Sequence, residues 1–148
     1  IVVFSGSAHR PFANAVCDAL GVALSSVEIT RFSNDCLQAQ LQANCRQRDV
    51  YVVQPLVPPT QEHLMELLLM VDAAKGASAA QITAVMPHYA YARSDKKDAS
   101  RISLGGRLVA DLLVTAGVRA HLVGGADVAA ELDAKRAIEQ ATRLAATL

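Results

Sequence analysis

The sequence predicts an α/β domain, a doubly wound parallel sheet with an antiparallel hairpin extension. Three observations predict it. Short apolar, β-branched runs at 1–4, 50–54 and 82–86 alternate with longer stretches of helical periodicity, the pattern of strand-helix-strand units. The run Ile82-Thr83-Ala84-Val85-Met86 has the continuous apolar character of a buried parallel strand. Residues 27–32 and 37–42 instead alternate apolar and polar, around the turn formers Ser33-Asn34-Asp35-Cys36, as the strands of a half-exposed hairpin do.

In order, Ile1-Val2-Val3-Phe4 forms a strand that runs into the small-residue turn Ser5-Gly6-Ser7. Pro11 opens a helix that extends to Leu20 and closes at Gly21, with Ala13, Val16 and Leu20 on its inner face. A Gly-Ser loop ahead of a helix can cradle a phosphate. This one is short and lacks the Walker lysine, which argues against that use. After the hairpin, Arg46-Gln47-Arg48-Asp49 makes a charged, solvated turn before the strand 50–54.

Pro58-Pro59 stops the next loop, Thr60 is the expected N-cap, and a helix follows over 61–75 with Gly76 as its stop. Leu64, Leu67, Leu68 and Val71 form its inner stripe, while Met65, Leu69 and Met70 make the opposite side apolar. Such a helix needs cover on more than one side, and a subunit interface is the expected second cover. The next helix spans 103–116, with Leu104, Leu108 and Leu112 four apart, Val109 and Leu113 beside them, and Gly117 closing it. Gly105-Gly106 near its start costs about 1 kcal/mol per residue against alanine in a helix interior. That leaves either a close backbone approach to a neighbour or a frayed first turn. A last helix is expected from Asp127 to about Ala146, with Val128, Leu132 and Ile138 on one face, as a structural cap.

Composition sets outer limits. A chain of 148 residues, 52% hydrophobic, is one domain or half of a larger two-domain subunit, with enough apolar side chains for a sizeable core. Lys+Arg and Asp+Glu both number 14, so no net charge draws the chain to nucleic acid or an anionic membrane. No apolar run approaches the roughly 18 residues of a membrane span, and no basic-then-apolar leader precedes Ile1. The missing initiator Met suggests a trimmed start. Cys17, Cys36 and Cys45 are odd in number and lack metal-ligand spacing, so they read as reduced thiols of a cytoplasmic protein.

The stretch richest in chemistry is Pro87-His88-Tyr89-Ala90-Tyr91-Ala92-Arg93-Ser94-Asp95-Lys96-Lys97, which follows the strand 82–86 and so falls at the carboxyl edge of the sheet, where ligands bind in such folds. Arg93, Lys96 and Lys97 can neutralise a polyphosphate, and Asp95 or Asp98 can hold its Mg²⁺ through oxygen ligands. His88, Tyr89 and Tyr91 offer flat rings to a base. The plain alternative is a solvated charged loop.

Tyr91-Ala92-Arg93-Ser94-Asp95-Lys96-Lys97 resembles the Tyr-Ala-Arg-Gln-Asp-Arg/Lys-Lys loop of ribose-phosphate pyrophosphokinases. The same family is matched in order and spacing by Phe4-Ser5-Gly6-Ser7, Arg31-Phe32-Ser33, Asp49-Val50-Tyr51-Val52-Val53-Gln54, Leu64-Met65-Glu66-Leu67-Leu68, Ile82-Thr83-Ala84-Val85-Met86-Pro87 and Leu108-Val109-Ala110-Asp111-Leu112-Leu113. The resemblance covers about 1–118. It implies a phosphoribosyltransferase-like fold corresponding to the N-terminal half of the synthetase subunit, with the second domain and its acidic-Gly-Thr loop absent from this sequence.

By the same resemblance, the reaction moves the β,γ-diphosphate of Mg-ATP to the 1-hydroxyl of ribose 5-phosphate, giving phosphoribosyl pyrophosphate and AMP. Arg93 would grip the ATP phosphates, Ser94 and Asp95 would join it in contacting the nucleotide, Lys96 and Lys97 would offset transition-state charge, and Asp95 would orient a lysine or reach Mg²⁺ through water. Phe32 and Asn34 on the hairpin would contact the nucleotide from a neighbouring subunit. A homo-oligomer is implied through the helix 61–75 and the hairpin 27–42.

Arg46 and Arg48 would lie near a regulatory phosphate site, and His121 near the metal-nucleotide. The chain departs from the family at Asn34-Asp35-Cys36, where the family has Asp-Gly-Glu, and at Ser94, where it has glutamine. A non-catalytic scaffold that co-assembles with a synthetase is therefore the alternative reading. A ligand-free α/β domain is the third. The chain alone is not expected to complete the reaction.

Overall fold

The structure, a computed structural model, describes residues 1–118 together with Glu139, Thr142 and Arg143. His121 and most of the expected final helix lie outside the described residues.

Strand β1 (Val2–Ser5) is buried along its whole length and lies between β2 (Leu24–Ser25) and β5 (Asp49–Val53), with β6 (Gln81–Val85) beyond β5. All these pairings are parallel, so the four strands end at one rim. The alternation of side chains sorts them between two layers. Val2, Phe4, Val50 and Val52 face the helices α2 (Thr60–Gly76) and α3 (Gly105–Ala116), packing against Leu67, Met70, Val71, Val109 and Leu113. Val3 and Val53 face α1 (Arg10–Leu20) and pack against Ala13 and Cys17. Helices on both faces of a parallel sheet are the doubly wound arrangement that the alternation of patterns predicts.

The extension is a separate two-stranded sheet, β3 (Val27–Arg31) against antiparallel β4 (Leu37–Leu41), in the register Val27↔Leu41, Ile29↔Ala39, Arg31↔Leu37. Val27, Ile29, Ala39 and Leu41 pack on the main core, while Glu28, Thr30, Gln38 and Gln40 face solvent. The hairpin therefore supplies, within one chain, part of the second cover that α2 requires. Leu64 and Leu68 join the packed cluster, whereas Met65 remains 51% exposed.

Several local expectations are corrected. The inner face of α1 is Ala13 and Cys17; Leu20 is exposed, because α1 sits on the sheet one position round from the larger side chains. Thr60 is the first helical residue of α2 behind an N-cap at Pro59 that makes no side-chain bond, and α2 runs through Gly76 to a cap at Ala77. Helix α3 begins at Gly105, not at residue 103, and it buries Val109 and Leu113 while Leu108 and Leu112 of the anticipated stripe are exposed. Gly117 closes it in the left-handed conformation, as expected (φ 102°). Strand β2 was not anticipated, since two residues carry no period and only pairing with β1 defines them.

Candidate functional site

Besides the short exit from β2 into the hairpin, the carboxyl rim of the sheet carries three segments: the turn after β1, the segment after β5, and the long connection from β6 to α3. Their chemistry differs sharply.

At the first two, the polar groups point inward. Gln54, fully buried, accepts from the Ala8 N–H through Oε1 (3.2 Å) and donates through Nε2 to the His63 carbonyl (3.3 Å) and to Glu66 (3.1 Å). Glu66 is also buried, and its carboxylate accepts from both the N–H and the hydroxyl of Ser7, each at 2.7 Å. His63 Nδ1 lies 2.7 Å from the Val57 carbonyl oxygen, which holds the β5–α2 loop to the same helix. The donors of the Ser5-Gly6-Ser7 turn are thus all engaged: those of Ser7 by the Glu66 carboxylate, the Gly6 N–H by the Val53 carbonyl (3.1 Å) and the Ser5 hydroxyl by the Gly6 carbonyl (2.9 Å), and the carboxylate would repel a phosphate brought to the turn. Glu66 and Gln54 organise this rim, and sequence reading did not single them out. The only available signal was a carboxylate inside an otherwise apolar helix face, Leu64 to Leu68.

On the third segment the charges point outward. Arg93, Asp95, Lys96, Lys97 and Asp98 are all exposed, and none makes an ion pair among the described residues. Three cations thus stand within five residues at the rim without an ion-pair partner among the described residues, with the carboxylates of Asp95 and Asp98 in the same turn. The described residues contain no cluster of three His, Cys, Asp or Glu that could hold a metal.

The backbone beneath this cationic turn is fixed. The Leu56 N–H donates to the His88 carbonyl (2.9 Å) and the Ser94 N–H to that of Tyr91 (3.0 Å). Tyr89 and Tyr91 are half-buried against the core, and the Tyr89 hydroxyl donates to the Gly106 carbonyl at 2.5 Å. Burial pushes the Tyr89 phenol up. Neither tyrosine ring therefore stands free for a base; of the three rings anticipated, only His88 is exposed.

The other anticipated residues are dispersed. Phe32, 46% exposed, and Asn34 sit at the hairpin tip, where the Asn34 side-chain oxygen accepts from the Cys36 N–H (3.2 Å) and shapes the turn. The tip is tied to α2 by an ion pair between Arg31 and Glu62, which with Asp35 (3.6 Å) raises the guanidinium pKa. No hydrogen bond or ion pair among the described residues joins this tip to the cationic turn. Arg46 and Arg48 are exposed on the turn that enters β5, at the opposite rim from Arg93. Cys17, Cys36 and Cys45 are all free; burial pushes the Cys17 and Cys45 thiols up, while Cys36 is exposed.

Comparison with known proteins places this arrangement. The family described as the N-terminal domain of ribose phosphate pyrophosphokinase matches residues 1–117. A Streptomyces coelicolor protein provisionally named ribose-phosphate pyrophosphokinase is 72% identical over 117 residues, covering 79% of this chain and 37% of its own. The ribose-phosphate pyrophosphokinase of Deinococcus radiodurans is 53% identical over the same length, again 79% of this chain and 37% of its own. The crystal structure of phosphoribosylpyrophosphate synthetase from Mycobacterium smegmatis superposes with a TM-score of 0.76 at 41% identity, covering 79% of this chain and 39% of that one. The chain thus spans little more than a third of the length of the relatives it matches. Over most of its own length, it belongs to the family of the ribose phosphate pyrophosphokinase N-terminal domain.

Proposed function

We propose that this chain is the nucleotide-holding part of a ribose-phosphate pyrophosphokinase, with Arg93, Lys96 and Lys97 gripping the triphosphate of Mg-ATP. The observation that carries this reading is the exposed, unpaired cationic turn at the carboxyl rim, beside a neighbouring turn whose donors are already engaged. Diphosphate transfer to ribose 5-phosphate develops charge on the transferred group and on the AMP oxygen, and positioned cations lower that barrier. Arg93 supplies a forked, fixed charge, whereas Lys96 and Lys97 supply mobile point charges able to follow the moving group. Asp95, with Asp98, would hold Mg²⁺, which screens the phosphates and aligns them for displacement.

Phe32 and Asn34 would reach the nucleotide from a second copy. Supporting that, Phe32 is exposed, and exposed Met65 lines a cavity of about 440 Å³ together with Arg31, Cys36, Leu37, Glu62 and Leu69. The ribose 5-phosphate half of the reaction would belong to the sequence that the relatives carry beyond the matched region. Free thiols fit a reducing, cytoplasmic setting, and no helix among the described residues is long and apolar enough to cross a membrane.

Titration calorimetry with Mg-ATP tests the nucleotide reading. Binding should be measurable for the wild-type chain and weaker by roughly tenfold in Arg93→Ala, the cost of one charge-assisted contact. Absence of heat, or equal affinity in the variant, would refute it. Sedimentation of wild type against Met65→Asp tests the assembly, which should dissociate in the variant; a wild-type monomer at every concentration would contradict the proposed interface.

A further inference from the structure

Helix α3 starts without a cap of its own. Leu104 occupies the N-cap position and offers no side-chain bond, so the first N–H groups of the helix need acceptors from elsewhere. They find them in the cationic turn. The Gly105 N–H donates to Ser94 Oγ and the Gly106 N–H to the Ser94 carbonyl, both at 3.1 Å. A single residue, remote in sequence, thus satisfies two helix donors.

The contact is close because both partners are glycine. A Cβ at Gly105 would lie 2.8 Å from Tyr91 Cδ1, and one at Gly106 would lie 2.9 Å from the Tyr91 carbonyl oxygen, so the helix backbone meets the turn directly. The Tyr89 hydroxyl closes the same junction on the Gly106 carbonyl. Of the two explanations for these glycines, close approach is the one observed.

We infer that Ser94 is a positioning residue: its hydroxyl faces α3 rather than a ligand and holds the turn in the shape that presents Arg93 on one side and Lys96 and Lys97 on the other. The inference rests on the reading that this turn holds nucleotide phosphates. It assigns Ser94 a task different from direct nucleotide contact. The short side chain places its acceptor oxygen on the Gly105 N–H; a glutamine carries its acceptor two bonds further from the backbone and so away from that donor.

Nuclear magnetic resonance on the ¹⁵N-labelled chain tests both parts at once, by amide exchange at Gly105 without ligand and by titration with Mg-ATP. Ser94→Ala and Ser94→Gln should each accelerate Gly105 exchange and weaken Mg-ATP binding by about fivefold, the worth of one cap. Ser94→Thr, which keeps the acceptor, should restore both. Unchanged Gly105 exchange in Ser94→Ala with nucleotide binding intact would overturn the tether alone. Ser94→Gln binding as tightly as wild type would show a ligand contact instead. No response of wild type to Mg-ATP would overturn the nucleotide reading, and this inference with it.

Discussion

Two turns leave the same rim of the same sheet and face opposite ways. The turn after β1 gives its N–H groups to the Val53 carbonyl, Glu66 and Gln54, and a buried carboxylate lies directly behind it. The connection after β6 keeps its backbone bonds inward as well, yet sets Arg93, Lys96 and Lys97 in solvent without anionic partners among the described residues. A glycine-containing turn before a helix is thus no phosphate site when its donors are satisfied internally. The location of an anion site is decided by where unneutralised charge and free donors remain.

The strongest way to break this comparison is to remove the clamp. Glu66→Ala removes the acceptor of the two Ser7 donors and of one Gln54 Nε2 hydrogen. Ser7 is exposed, so water takes over its bonds, whereas the buried Gln54 amide keeps only the His63 carbonyl. The loss should be on the order of 2 kcal/mol in chemical denaturation, since a stranded buried donor costs about 1–3 kcal/mol. Mg-ATP affinity of the folded fraction should stay unchanged. No loss of stability would show that the clamp is not holding the turn, and a large loss of affinity would show that the first turn contributes to binding after all.

Alkali separates the turns from another side, since Tyr89 lies under the open one. Burial raises the Tyr89 phenol above its ordinary 10.0 and the Cys17 and Cys45 thiols above their ordinary 9.0. The unfolded chain therefore loses these protons first as pH rises. Their contribution is complete below about pH 9 and falls away as pH climbs through the raised native values. Urea midpoints measured from pH 8 to 11 should decline across this range, and Tyr89→Phe should flatten the upper part of the curve. An unchanged slope would mean that Tyr89 is solvated.

The smallest expected effect on stability belongs to the cations themselves. Lys96→Ala and Lys97→Ala touch exposed, unpaired groups and should change unfolding free energy by less than about 0.5 kcal/mol. Each should nonetheless weaken Mg-ATP binding, more so at low salt. A stability loss beyond that range would place these side chains in packing.

The difference between the turns also marks how far the sequence could be read. Continuous apolar runs located β1, β5 and β6, and strict alternation located the hairpin, because burial on two faces or one writes those periods directly. Tyr91 to Lys97 was legible as a motif because its charges are contiguous. The clamp was not, since Glu66, Gln54 and Ser7 meet only in the folded chain, and a lone acid in the leucine-rich run of α2 has no local signature. Leu108 and Leu112 were misplaced for a related reason. An apolar residue at every third or fourth position of α3 offers two stripes, and only the position of the sheet selects Val109 and Leu113. Ser94 looked like a ligand from its place in the motif, whereas its bond to Gly105 depends on a helix start that the sequence put two residues too early.

A crystal of the chain soaked in Mg-ATP puts the central claim to its most direct test. The account predicts triphosphate density against Arg93, Lys96 and Lys97, with Ser7 still bound to Glu66. Density at the Ser5-Gly6-Ser7 turn, or a cationic turn left empty, would contradict it.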